Sequence, residues 1–341
     1  MSSITLQFHI TNRCNKRCSH CYQNNYSCEE FTTEELKNII KQYRELLKKY
    51  NKEKNVNERG HINITGGEPF VREDIWEILD YIKKYKNEFT FGILTNGSFL
   101  IEEVVKRLKT YNPRIIQVSL DGNKEMHNKI RGEGSYEEVI QAIKLLKKYK
   151  IKCLVSFTAN NKNYKLFPEV VSISRRAGAY KVWTDRMVPI GSGLCKNEVS
   201  TLTPEEVVDY VNIIKRTKNS FINKYSKIIV SSERSLQFLS GEDASYICTA
   251  GDGLIIVQED GDVLPCRRLP LVAGNIRKDS LINIYYNSPI MKKIRCFKER
   301  PKGCEKCNFY GICKGGAKCI SYGIYGDYTY GDYGCILKEK K

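Results

Sequence analysis

Short apolar runs and longer amphipathic stretches alternate along the first 190 residues. Ile4–His9, His61–Thr65, Phe89–Leu94, Ile115–Leu120, Lys152–Thr158 and Lys181–Arg186 are brief and rich in apolar or β-branched residues, which predicts six strands. Helical segments fall between them. Thr32-Thr33-Glu34-Glu35 has the form of a capping box and predicts a helix through about Tyr50. Ser135-Tyr136-Glu137-Glu138 has the same form and predicts a helix over Tyr136–Tyr149, whose stripe of Val139, Ile140, Ile143 and Leu146 is core. Regular alternation of strand and helix implies an α/β protein with a parallel sheet and crossover helices. Six units fall short of a full eight-fold barrel. Thr203-Pro204-Glu205-Glu206 caps one more helix, through about Asn219, read as a bridge out of the barrel. The charged, Asn-rich stretch from Lys48 to Arg59 reads as a surface loop. After about Tyr246 cysteines, glycines and short turns take over. The expected organisation is a barrel over 1–200, a helical bridge over 201–245 and a small cysteine-rich domain over 246–341.

Composition narrows the setting. The chain has 14 cysteines in 341 residues, and seven lie from Cys266 onward. No basic-then-apolar signal segment opens it, and no apolar run approaches membrane-spanning length. A secreted disulfide protein is therefore disfavoured, and metal-bound thiolates in a reducing cytoplasm fit better. The formal charge is +17, from 56 Lys+Arg against 39 Asp+Glu. The excess is spread along the chain, as on the solvated surface of a lysine-rich protein. Charge alone does not point to nucleic acid, although a basic surface can attract nucleic acid or an acidic peptide.

The chemistry concentrates in Cys14-x3-Cys18-x2-Cys21. Three thiolates can hold three irons of a [4Fe–4S] cube and leave the fourth open to a ligand, whereas ferredoxin spacing supplies four cysteines and closes the cluster. A structural zinc site, with His20 completing a Cys3His set, and buried apolar thiols are the competing readings. About 45 residues on, the second strand ends in Thr65-Gly66-Gly67-Glu68-Pro69. Glycines at the carboxyl end of a barrel strand let backbone approach a ligand closely, and a carboxylate there can accept hydrogen bonds from an ammonium group.

The triplet and the Gly-Gly-Glu-Pro run together resemble the signatures of the radical S-adenosylmethionine (SAM) superfamily. The resemblance implies a partial (β/α)6 barrel, with which the count of six units agrees, and implies that Cys14, Cys18 and Cys21 hold the catalytic cluster. The open iron would chelate SAM, and one electron would cleave SAM to a 5′-deoxyadenosyl radical. It implies that Gly66, Gly67 and Glu68 contact the methionyl amino group and that His20 sits near the adenine. Thr95 and Asn96, in Leu94-Thr95-Asn96-Gly97, occupy a place of polar contacts after strand three. Ser119 and Asp121, after strand four, would meet the SAM carboxylate or ribose. His127 to Arg131-Gly132 resembles an HxxxRG segment of one branch, which adds Arg131. Arg186-Met187-Val188-Pro189-Ile190-Gly191 resembles that branch as well. His9 and His61 lie in strands and are read as packed.

The C-terminal half resembles the SPASM domain, a seven-cysteine extension with two auxiliary [4Fe–4S] clusters, making three clusters in all. Cys304, Cys307, Cys313 and Cys335 match the outer cluster, and Cys248, Cys266 and Cys319 match three ligands of the inner one. Ala317 stands at the usual fourth motif position, and Cys319 is taken to replace it. The fourth inner site is either open to substrate or closed by Cys296 or another group. Cys28, Cys153, Cys195 and Cys296 remain over. Cys153 or Cys195 is a candidate hydrogen-atom donor, although a packed thiol is the simpler reading. The five tyrosines of Tyr322–Tyr333 are read as a cluster-shielding loop.

Together the two resemblances imply a peptide or protein maturase. It would form thioether or carbon–carbon crosslinks or epimerise side chains, and an open inner cluster would favour a cysteine-containing substrate. A flavodoxin- or ferredoxin-type reductant is implied. The triplet begins too early for a preceding peptide-recognition domain, so a separate leader-recognition protein or another surface is expected. The alternative is oxidative decarboxylation of a haem precursor. A non-catalytic iron–sulfur carrier is a third reading, disfavoured by the SAM signature.

Overall fold

The fold comes from a computed structural model that describes residues 3–27, 29–194, 199–220, 222, 225–226, 228–232, 235–241, 248–296 and 299–337. Six parallel strands form in the expected places: β1 (Thr5–His9), β2 (Gly60–Thr65), β3 (Phe89–Thr95), β4 (Ile115–Ser119), β5 (Cys153–Ala159) and β6 (Lys181–Arg186). They pair in sequence order, for example His9 with Thr65, Ile116 with Cys153 and Thr158 with Asp185. Helices α1 (Thr33–Lys54), α2 (Ile75–Lys84), α3 (Glu102–Lys109), α4 (Lys124–Arg131), α5 (Ser135–Lys148) and α6 (Phe167–Ala177) connect them. The helices bury one face, such as Leu36, Ile40, Tyr43 and Leu47 of α1. That face meets outward-facing strand residues such as Ile116, Val118, Val155 and Phe157, all fully buried. Each such side chain contributes about 1.5–3 kcal/mol.

Three local expectations change. The capping box of α1 is present, with Thr32 and Glu35 satisfying each other's backbone N–H, but the helix runs to Lys54 and absorbs half of the expected Lys48–Arg59 loop. Its last turn carries Lys52 and Lys54, which complement the helix dipole. No capping box opens α5. Gly134, at φ 78°, is its N-cap and Ser135 is its first helical residue. The Ser135 hydroxyl instead donates to the Gly132 carbonyl at 2.6 Å. The 201–245 segment contains more than a bridge. Helix α7 (Pro204–Asn219), with its capping box intact, leads toward β7 (Ile229–Ser231), which is parallel to β6.

The cysteine-rich segment joins the same sheet. Strand β8 (Leu254–Val257) pairs in parallel with β1, Thr5 facing Leu254 and Phe8 facing Val257. Strands β9 (Asp262–Leu264) and β10 (Gly274–Asn275) follow as antiparallel neighbours. The ten strands run β10-β9-β8-β1-β2-β3-β4-β5-β6-β7. Helices α8 (Leu281–Asn287), α9 (Pro289–Arg295), α10 (Tyr310–Cys313) and α11 (Lys318–Tyr325) complete the C-terminal part, with α8 against α1. A buried ion pair ties this part to β6. Arg186 donates to Asp332 through two nitrogens, at 3.0 and 2.6 Å, and Asp332 also accepts from the backbone N–H groups of Ala317 and Gly334. Burial alone would push the Asp332 carboxyl up, but Arg186 outweighs it and holds the pKa below the ordinary value.

Candidate active site

The cysteine triplet lies on the loop leaving the carboxyl end of β1. Gly67 N–H donates to the Thr11 carbonyl at 2.8 Å, and Glu68 N–H to the Arg13 carbonyl at 2.9 Å. A Cβ at Gly66 would lie 2.0 Å from the Thr11 carbonyl oxygen, and one at Gly67 2.2 Å from that of Arg13. The backbone pressing on these glycines from one side is therefore the cysteine loop itself. Arg72, buried, braces the loop from below by donating to the carbonyls of Ile10 and Phe31.

Cys14, Cys18 and Cys21 are free thiols facing one cavity of about 180 Å3. Each sulfur has an N–H donor: Lys16 backbone to Cys14 at 3.4 Å, Gln23 backbone to Cys21 at 3.4 Å and the Arg131 guanidinium to Cys18 at 3.6 Å. Burial pushes the Cys14 thiol up to about 11 and that of Cys18 upward also, Arg131 opposing it there. Ionised thiolates in this place need cationic iron beside them. Three convergent sulfurs with donors already in place fit a cluster with one open corner. Among the described residues, no three His, Cys, Asp or Glu side chains stand at the spacing of a single metal ion.

Two buried carboxylates organise the walls. Asp121 accepts from Arg131 Nε at 2.6 Å and Thr158 N–H at 2.9 Å, and lies 3.1 Å from His20 Nε2. Its own backbone N–H donates to His127 Nδ1 at 3.1 Å. Burial would raise the Asp121 pKa, but Arg131 and then His20 hold it far below the ordinary carboxylate value. The HxxxRG segment is thus a hydrogen-bonded unit around Asp121. Glu68 accepts from the Thr95 hydroxyl at 2.8 Å, Asn96 N–H at 2.8 Å and Phe70 N–H at 3.2 Å, joining the loops after β2 and β3. Both carboxyl groups are fully buried and neither lines the cavity. The resemblance implies ligand contacts for both; in the structure their oxygens accept from protein donors. Burial pushes Glu68 up to about 7. Glu68→Gln places an NH2 against these donors and is expected to cost about 1–3 kcal/mol of stability, read by denaturant unfolding.

The other sequence candidates reach the cavity directly: His20, Gly66, Gly67, Thr95, Asn96, Ser119 and Arg131. His20 Nδ1 is buried without a protein partner, a polar atom available to a ligand. Met187, Val188 and Ile190 line the cavity beyond β6. Sequence reading missed Gln117, Ser156, Thr158, Trp183, Asp185 and Arg268, which also line it. The signal was the strand pleat. Gln117 and Ser119, Ser156 and Thr158, and Trp183 and Asp185 are i, i+2 pairs near strand carboxyl ends, while residues between them enter the core. Arg268 closes the far side, ion-paired to Asp185 and donating to the Arg186 carbonyl at 2.6 Å.

Arg268 follows Cys266 closely, so the cavity extends from the triplet toward the C-terminal cysteines. Cys248, Cys266 and Cys319 pack with Tyr322 and Tyr328 around one small apolar cluster, and Cys319 and Tyr333 both pack against a second, formed by Val188, Ile190, Ala317 and Ile320. Cys304, Cys313 and Cys335 are close enough for charge on one to raise the pKa of Cys313, and Cys307 N–H donates to the Cys304 carbonyl. Cys296 is exposed at the end of α9. Cys153 opens β5, at the end of the strand away from the cavity, and is buried in the core. That position removes it as a hydrogen-atom donor. Cys28 and Cys195 lie outside the described residues. His9 is buried as expected, and His61 is held by Thr90 and Asn63.

A partial parallel barrel with three convergent cysteines after its first strand, extended by a cysteine-rich segment, is the framework of an iron–sulfur protein whose cluster keeps one iron open. Residues 8–170 match the family model of the radical SAM superfamily, and residues 248–308 match SPASM, an iron-sulfur cluster-binding domain. The chain belongs to the radical SAM superfamily, carries a SPASM domain, and is an enzyme that binds [4Fe–4S] clusters and SAM. It is 26% identical to the AdoMet-dependent heme synthase of Methanosarcina barkeri, over 98% of this chain and 97% of that one. It is 30% identical to the antilisterial bacteriocin subtilosin biosynthesis protein AlbA of Bacillus subtilis, over 90% of this chain and 66% of that one. The crystal structure of Streptococcus suis SuiB shares the fold, with a TM-score of 0.77, 16% identity and coverage of 99% of this chain and 78% of that one. Among the described residues no helix is long and apolar enough to cross a membrane.

Proposed function

We propose that this enzyme modifies a side chain of a ribosomally made peptide or protein, in the cytoplasm, using electrons from a flavodoxin- or ferredoxin-type reductant. One observation carries the reading. A single cavity runs from Cys14, Cys18 and Cys21 to Arg267 and Arg268, which follow Cys266 in sequence, so the place of hydrogen abstraction opens toward the segment that carries the inner auxiliary ligands. The resemblance to the subtilosin biosynthesis protein supports a peptide substrate.

Cys14, Cys18 and Cys21 would hold the catalytic cluster. Cys248, Cys266 and Cys319 would hold the inner auxiliary cluster, and Cys304, Cys307, Cys313 and Cys335 the outer one. These assignments follow a division into barrel (1–200), connecting segment (201–245) and cluster domain (246–341). When bound by Cys14, Cys18 and Cys21, the cluster would supply the electron for cleavage of SAM and an iron left open to it by the three thiolates. Arg131 offsets charge on Cys18 and is itself fixed by Asp121. His20 presents Nδ1 toward the bound nucleoside, and Gly66, Gly67, Thr95, Asn96 and Ser119 form the polar wall. Glu68 and Asp121 position this wall from behind. A substrate side chain would enter between Trp183, Asp185 and Arg268. The 5′-deoxyadenosyl radical would take a hydrogen atom there and become 5′-deoxyadenosine; loss of a proton to solvent and of an electron to the inner auxiliary cluster would then leave the residue oxidised by two electrons, with the crosslink formed.

A second reading, oxidative decarboxylation of a haem precursor, is favoured by similarity to the heme synthase along nearly the whole of both chains. The reconstituted enzyme with SAM, reductant and peptides encoded beside its gene separates the two. Peptide modification gives a mass loss of about 2 Da per crosslink, or solvent deuterium uptake on epimerisation. Turnover of a propionate-bearing tetrapyrrole, with every peptide unchanged, would overturn the peptide reading.

A further inference from the structure

The barrel has a second concavity, at the opposite end from the cysteines. Its volume is about 540 Å3. Arg59, Arg114 and Lys152 stand there just ahead of β2, β4 and β5. Lys83, Lys86 and Lys109 come from the ends of α2 and α3, and Lys150 from the turn after α5. No Asp or Glu lines it, although the whole chain has 39 acidic residues for 56 basic ones. Nearby carboxylates are turned to other partners. Glu88 pairs with Arg44 at 2.9 Å, and Asp80 engages the Tyr111 hydroxyl.

Helix dipoles explain part of the charge. The carbonyl ends of α2, α3 and α5 meet here and attract cations. Lys109 Nζ donates to the Lys150 carbonyl at 3.3 Å, and Arg59 donates to the carbonyls of Lys86 and Phe89. Carbonyls leave the net charge in place, and Arg114 and Lys152 precede strands and cap no helix. Cations around one concavity focus a positive potential, which draws an anion of matching shape.

We infer that this groove binds an acidic segment of the peptide substrate, at a distance from the residue that is modified. The inference rests on the peptide reading above. Single-stranded nucleic acid needs open aromatic faces for its bases. Here Phe89, Phe91 and Tyr111 form a buried floor, at 1%, 5% and 9% exposure, and Lys83 covers the Tyr111 ring. Carboxylates on a flexible strand need only the cations. A strand of β3's length puts the groove about 20 Å from the active-site cavity. A substrate held at both ends therefore needs at least about six extended residues between them.

The test uses the full-length reconstituted enzyme and fluorescein-labelled octaglutamate, with binding read by anisotropy at about 50 mM salt. The groove variant is Lys83→Glu/Lys109→Glu/Arg114→Glu. A control variant, Lys41→Glu/Lys48→Glu/Lys52→Glu, makes the same charge change on exposed positions of α1. The groove variant is expected to bind about tenfold more weakly or worse, and the control to change less than about twofold. Equal losses in the two variants would mean attraction to overall charge and overturn the inference. An octa-adenylate RNA that binds more tightly than octaglutamate, and is weakened by the groove variant, would overturn the peptide assignment. The rate of 5′-deoxyadenosine formation without peptide is expected to be unchanged in the groove variant. If that rate falls, the corresponding Gln variant replaces it with the same outcomes. Binding is measured without turnover, so failure of the groove and failure of the peptide-maturase reading are separable.

Discussion

Cys18→Ala protein is expected to form no 5′-deoxyadenosine above background and to hold about eight irons per chain where the parent holds about twelve. The two readouts together make the test specific. Cys14, Cys18 and Cys21 face one cavity, whereas the seven C-terminal cysteines sit in other walls and loops. Removing one thiol of three leaves a cluster with two protein ligands, too few to retain it. The auxiliary ligands keep their packing, so the remaining iron stays. Full iron with no turnover would mean that Cys18 serves catalysis without ligating. Loss of all iron would mean that the three sites fold as one. Arg131→Ala is the informative companion. It removes the donor to Cys18 Sγ and leaves Asp121 buried with one partner fewer, so stability and cluster retention both fall.

Arg186→Ala is expected to lower stability by about 3–5 kcal/mol, because it strands the Asp332 carboxylate in the interior. Asp332 lies between the pieces that carry Cys313 and Cys335 and accepts from backbone on both sides. Loss of the pair should therefore release the cluster-domain loop as well. Iron content and thermal unfolding, measured on the same sample, should fall together. The pH dependence has a definite sign. The Asp332 pKa lies below its ordinary value. The pair's contribution is fully present above the unfolded carboxylate value, near 4, and is lost as pH falls through the folded value. The parent should show this acid sensitivity and Arg186→Ala should not. If the variant melts and holds iron as the parent does, β6 is not the anchor of the C-terminal part.

The barrel was legible because its strands and helices differ in hydrophobic period, and both faces of each strand follow that period. Lys181–Arg186 and Pro204–Asn219 fall where the pattern put them. Strand β8 was not legible. Leu254–Val257 is four residues long in a glycine-rich stretch, and its partner is about 250 residues earlier. No local pattern encodes such a pairing. The cysteine positions were legible for the opposite reason, since spacing alone limits which thiols can share a cluster. The direction of the two acids was not. Glu68 and Asp121 stand beside residues that do line the cavity, and only the fold shows that donors from neighbouring loops take up their oxygens. Arg268 was missed because its partner, Asp185, lies 83 positions earlier.

The pairing of β1 with both β2 and β8 bears on how the protein is made. The strand that leads into the cysteine triplet leaves the ribosome well ahead of β8, so one of its edges stays bare until residue 257 has emerged. For most of synthesis the nascent barrel exposes a run of unpaired N–H and C=O groups beside Leu6 and Phe8, a template for pairing with another chain. That pairing joins segments about 250 residues apart, a high contact order that makes it a late and slow step. A chain truncated before β8 should be lost to aggregation even though every residue of its first cluster motif is present.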